Sequence, residues 1–134
     1  MNAPALLLVA HGSAVPSAND DVLRVAESIR GRGTFPIVEI SYLERTPPTI
    51  SEGIDACVRG GASRILIVPF FLSLGAHVRR DLPRQAAHGE ERHPGVAIRM
   101  AEPLGFDPRL VELTLDRTEE SLRALGWTGP PADR

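Results

Sequence analysis

Two uninterrupted apolar runs set most of what this chain can become. Residues 5–10 read Ala-Leu-Leu-Leu-Val-Ala, and residues 65–72 read Ile-Leu-Ile-Val-Pro-Phe-Phe-Leu. A run this short, without alternation and bounded by turn residues, predicts a strand covered on both faces. That is the usual condition of a parallel strand between helical layers. A histidine follows each run: His11 directly, in His11-Gly12-Ser13, and His77 after Ser73-Leu74-Gly75-Ala76. Ligands of open parallel sheets bind beyond the carboxyl ends of the strands. Both imidazoles are therefore expected at the edge where chemistry sits.

The rest of the chain alternates strand and helix signals. After strand 5–10, Asn19 or Asp20 is expected to cap a helix that runs to about Arg30 and stops at Gly31-Arg32-Gly33. Residues 36–43 read as a second strand and 44–48 as a loop. A helix opened near Pro48 ends at Gly60-Gly61. The third strand spans 64–72. A short helix follows over about 78–87, disturbed by Pro83. Residues 95–101 form a fourth strand, and Asp107-Pro108 opens a last helix to about Leu125. This order predicts an α/β domain over residues 1–127 with a frayed tail at 128–134. Its sheet is four-stranded and parallel, in the order 2-1-3-4, with helices on both faces. Right-handed crossovers narrow the choice to few topologies.

Composition excludes several function classes. A net charge of -2 offers no electrostatic footprint for nucleic acid. No apolar stretch reaches the ~18 residues of a membrane span. One cysteine, Cys57, allows no internal disulfide, which fits a reducing, cytoplasmic setting. Cys57 lies on the apolar face of the second helix and reads as a small core residue. All 15 basic side chains are arginine. Schiff-base chemistry and a P-loop lysine are thereby excluded, and substrate carboxylates must meet arginine, histidine or backbone amides.

All four strand exits share one edge if the strands are parallel. They carry His11, Glu44, the loop to His77, and Glu102-Pro103-Leu104-Gly105. Two imidazoles and a carboxylate can bind a divalent metal while leaving coordination positions open. Arg79, Arg80 and Arg84 follow His77 and form a candidate guanidinium cluster for substrate carboxylates. Leu72, Leu74 and Leu82 are expected to form an apolar wall facing a flat ring or a partner. His88 and His93, in the polar stretch 85–95, read as surface residues.

Taken jointly, these fragments resemble the short-form class II chelatases, the family of sirohydrochlorin cobaltochelatases and ferrochelatases. The marks are His11-Gly12-Ser13, Tyr42-Leu43-Glu44 with Pro47-Pro48, and Val68-Pro69-Phe70-Phe71-Leu72. Gly75-Ala76-His77, Asp81-Leu82-Pro83 and Glu102-Pro103-Leu104-Gly105 complete them, in order, over residues 5 to about 117. Two positions depart from the family pattern. Ala14 stands where an arginine is frequent, and Asp107 where a histidine is common.

The resemblance implies a chelatase-type lyase that inserts a divalent metal into an acidic tetrapyrrole without a nucleotide, in cobalamin or siroheme biosynthesis. It implies that His11 and His77 form the metal-binding and catalytic pair, with Glu44 assisting. Ser13, Leu72, Leu74, Gly75 and the three arginines are the expected substrate contacts. No permanently bound cofactor is expected, since the metal (Co2+, Fe2+ or Ni2+) is itself substrate. Short forms of this kind act as homodimers. Two other classes fit parts of the pattern: a non-catalytic module that delivers a tetrapyrrole or metal, and a phosphohydrolase with His11 as nucleophile. The second lacks the arginine such enzymes carry just before the histidine, where Ala10 stands.

Overall fold

The computed structural model describes residues 3–127, and the expected tail at 128–134 lies outside them. Eight elements alternate along the chain: β1 (Ala5–Ala10), α1 (Pro16–Gly31), β2 (Val38–Tyr42), α2 (Ile50–Arg59), β3 (Arg64–Pro69), α3 (Ala76–Arg92), β4 (Ala97–Met100) and α4 (Pro108–Leu125). The four strands form one parallel sheet in the order β2-β1-β3-β4. All six residues of β1 are buried, as its uninterrupted apolar run requires of a strand with neighbours and cover on every side.

Alternation along the strands divides the core in two. Leu7 and Val9 of β1 join Ile65 and Ile67 of β3 and Ile98 of β4 on one face, beneath Ile54 and Cys57 of α2 and Leu82 and Ala86 of α3. Leu6, Leu8 and Ala10 join Val38, Ile40 and Tyr42 on the other face, beneath Ala26, Val22, Val25 and Ile29 of α1. Helices thus cover both faces. Burial pushes the Cys57 thiol up to about 12, with Glu39 adding to the shift, so Cys57 is an inert core residue.

Two glycines set how closely α2 and α3 approach this core. A Cβ on Gly53 would lie 1.9 Å from Ser41 Oγ and 2.7 Å from Leu7 Cδ1. A Cβ on Gly89 would meet Ile54 Cδ1 and Ile98 Cδ1, both at 2.8 Å. The α2 end itself is closed by a capping box. Thr49 Oγ1 accepts from the Glu52 amide at 3.2 Å, and Glu52 Oε1 accepts from the Thr49 amide at 2.8 Å.

Four local expectations need correction. α1 starts at Pro16, ahead of Asn19 and Asp20, because proline's fixed φ suits the first helical position; the Asn19 side chain bonds elsewhere. β3 ends at Pro69 although the apolar run continues to Leu72. Its neighbour β1 ends at Ala10, and without a partner strand an apolar segment leaves the sheet. α3 reaches Arg92 and passes through Pro83, because Val78, Leu82, Ala86 and Gly89 hold one continuous stripe against the core. Leu82 is therefore no part of a surface wall: it is fully buried. α4 follows its expected boundaries, capped by Asp107, yet none of its residues is buried.

Candidate metal-transfer site at the carboxyl edge

Parallel pairing brings all four strand exits to one edge, and backbone hydrogen bonds join those exits into a rim. The Leu43 amide donates to the Ala10 carbonyl at 2.9 Å, and the Glu44 amide to the His11 carbonyl at 3.2 Å. The Phe70 amide donates to Val9 at 2.8 Å, linking the β1 and β3 exits. The amides of Leu104 and Gly105 donate to Phe71 and Leu72, both at 2.8 Å, linking β3 to β4.

His11 is the first residue beyond β1 and is exposed. The turn after it is tightly held. Gly12 has φ +94, and a Cβ there would sit 2.1 Å from the Glu44 carbonyl oxygen. Only glycine tolerates both the positive φ and this approach. The Ser13 hydroxyl accepts from the Val15 amide at 3.1 Å. His11 also lines a hollow of about 270 Å³ together with Asn19, Tyr42, Phe70 and Phe71. Burial, and then the negative charge of Asp20, pushes the Tyr42 phenol above its ordinary value, so it remains a neutral wall of this hollow.

His77 lies in the first turn of α3, exposed, with Gly75 as the helix cap. Helical spacing puts Arg80 and Arg84 on its face, three and seven residues on, while Arg79 lies on the flank. All three arginines are exposed, and among the described residues none has a carboxylate partner. Glu44 is exposed and pairs with the neighbouring Arg45, Nε to Oε1 at 3.1 Å. Arg45 has φ 74, a left-handed conformation that non-glycine residues seldom adopt. Among the described residues, no group of three or more His, Cys, Asp or Glu side chains is arranged to hold a metal ion. The expected trio of His11, His77 and Glu44 is thus distributed around one edge and does not form a ready-made cage.

Beyond Pro69 the apolar run turns outward. Leu72 is 61% exposed and Phe106, after β4, is 83% exposed. With Leu110, Val111 and Leu115 of α4 they line an open groove of about 610 Å³. Leu74 is half-buried in the same loop. Phe106 was not singled out from sequence; its one available signal is an aromatic residue in a Gly-Phe-Asp turn, where burial is not expected. Asp107 beside it is held down to about 2 by the Arg109 guanidinium and then by the Arg109 amide.

His93 proves not to be a free surface residue. Its Nε2 lies 2.7 Å from Asp55 Oδ1, which also accepts from Arg92 Nη1 at 2.8 Å. These two partners, the histidine first, hold the Asp55 carboxyl below its usual range and tie α3 to α2. His88 is exposed, with Glu91 3.8 Å away.

Comparison with known proteins agrees with this architecture. The CbiX family model matches residues 5–121. A sirohydrochlorin ferrochelatase of Priestia megaterium is 38% identical over 117 residues, covering 87% of this chain but 44% of that protein. A sirohydrochlorin cobaltochelatase of Methanocaldococcus jannaschii is 34% identical and is matched over 96% of its length, with 84% of this chain covered. The chain therefore spans under half of one relative and nearly all of another. Among solved structures, the sirohydrochlorin chelatase SirB of Bacillus subtilis subspecies spizizenii in complex with cobalt superposes with a TM-score of 0.80. It is 35% identical over 90% of this chain and 51% of that one. The CbiX protein of Marinobacter aquaeolei VT8, linked to cobalamin biosynthesis, gives 0.73 at 30% identity, over 91% and 99% of the two chains. Sheet order, strand-exit histidines and a match across almost the whole described chain lead to one conclusion: the chain belongs to the CbiX family.

Proposed function

We propose that this protein is a metal chelatase that inserts a divalent metal (Co2+ or Fe2+, with Ni2+ as a further substrate) into sirohydrochlorin or a related acidic tetrapyrrole. No nucleotide takes part. One feature carries the reading: His11 directly follows β1, and His77 opens α3, the helix after the adjacent parallel strand β3, so both belong to the carboxyl edge of the sheet. Insertion removes two pyrrole N–H protons and exchanges metal-bound water for ring nitrogens. An imidazole both ligates such metals and accepts protons near neutral pH. A site that hands its metal on must bind it more weakly than a structural site does. A pair of histidines with Glu44 at the border, in place of a closed cage, suits transfer. Leu72, Leu74 and Phe106 offer apolar area for a flat ring, while Ser13, Gly75 and the arginines meet its acidic rim. The reading includes a cytoplasmic setting in cobalamin or siroheme biosynthesis, supported by the unpaired Cys57 thiol. Anaerobic assays with sirohydrochlorin and each metal, followed by the absorbance change on insertion, test it. Stoichiometric binding without turnover would instead select a delivery module.

Replacing Arg79, Arg80 and Arg84 together with glutamine is expected to raise KM more than it lowers kcat. Contacts to peripheral carboxylates persist from ground state to transition state and act as uniform binding. Each exposed pair is worth under ~1 kcal/mol, so the three together raise KM roughly tenfold at low salt and less at high salt. An unchanged KM at low salt would show these arginines to be only a solvated face.

The reading also makes the working unit a homodimer. α4 buries none of its 18 residues within its own chain, and only Leu110 and Leu122 are half-buried. Val111, Leu113 and Leu115 on α4 remain exposed. A second copy is the occupant we assign to these α4 side chains, since two-fold pairing is the commonest symmetric solution. Light scattering at micromolar concentration should report about twice 14.5 kDa. A mass of one chain with full insertion activity would exclude the dimer.

A further inference from the structure

We propose that Asn19 is a positioning residue for His11. Its amide forms two hydrogen bonds with the backbone of one residue in the turn after that histidine. Oδ1 accepts from the Ser13 amide at 3.1 Å, and Nδ2 donates to the Ser13 carbonyl at 3.0 Å. The inference rests on the reading of His11 as a residue that meets the metal.

Asn19 is out of place by local rules. It lies inside the first turn of α1, where asparagine is a poor helix former and usually acts as a cap. α1 has no side-chain cap at all: its cap position is Val15, and Asn19 makes no bond to it. The side chain therefore serves the turn and not the helix. It completes a two-sided grip. On the β2 side, the Glu44 amide holds the His11 carbonyl at 3.2 Å, and the Glu44 carbonyl packs against Gly12. On the α1 side, the Asn19 amide spans from helix to turn. His11 itself is exposed and gains no orientation from core packing. Asn19 and His11 line the same 270 Å³ hollow, so the grip acts at the face where a substrate metal would approach. Residues that orient a metal ligand without touching the metal commonly matter by about 10–100-fold in metal affinity.

The test uses the full chain and Co2+ alone, titrated calorimetrically, with circular dichroism to establish folding. Asn19→Leu removes both bonds and is expected to weaken Co2+ binding by about 10–100-fold. Asn19→Asp keeps the acceptor, loses the donor, and is expected to show a smaller loss; it decides the matter if Asn19→Leu does not fold. His11→Ala is the reference, and His11→Ala with Asn19→Leu should bind no more weakly than His11→Ala alone, because Asn19 acts through His11. A general structural role would add a further loss in the double variant and would overturn the proposal. Wild-type affinity in the folded Asn19 variants, with affinity lost in His11→Ala, overturns the positioning role and leaves the chelatase reading standing. Wild-type affinity in His11→Ala overturns the role of His11 and the inference with it.

Discussion

His77→Ala and His11→Ala are each expected to lower metal insertion by at least about 10³-fold while leaving the fold intact. A positioned acid–base group alone contributes typically 10²–10⁴-fold, and loss of a metal ligand adds to that. Both side chains are exposed, and surface substitutions of this kind change stability by within about 0.5 kcal/mol. Thermal unfolding should therefore be unchanged where turnover is lost. If the two act as a unit, the double variant should be scarcely worse than the worse single one. Insertion at the wild-type rate by either single variant would remove that histidine from the reaction.

Leu82→Ala is expected to have the largest effect on stability, about 2–5 kcal/mol, because it empties a fully packed position. Leu82 is fully buried, in one cluster with Ile54 and Ile65. For a chain of this size the loss lowers Tm by roughly 10–20 °C. Below the new Tm, the folded fraction should keep the wild-type KM and the wild-type assembly state, since Leu82 has no surface exposed to a ligand or partner. Chemical denaturation and steady-state kinetics together check this. Unchanged stability with an altered KM or mass would return Leu82 to the surface wall that the sequence alone suggested.

That reversal shows where sequence reasoning runs out. An apolar residue among arginines, as in Arg80-Asp81-Leu82-Pro83-Arg84, is compatible with an exposed wall or a buried stripe. Only the docking of α3 on β4 and α2 chooses between them. Leu72 reads both as the end of a buried strand and as part of that wall, and at 61% exposed it leaves the strand. Strand length depends on the neighbour available to pair, which a local run does not encode. Asn19 carries a familiar cap signal, yet its amide is engaged by a backbone six residues earlier. His93 looked like a polar-stretch histidine, and its partner Asp55 stands 38 residues away.

From sequence alone, this protein's alternation of strand and helix, its parallel sheet order and the place of His11 directly after β1 were legible. Each follows from short-range punctuation and from chirality, which act on local segments whatever surrounds them. Tertiary structure alone decided which apolar residues face solvent, which polar side chains hold the turn beyond β1, and how far α3 and β3 run. Those outcomes depend on contacts between segments distant in sequence, where the free energy of packing overrides local propensity.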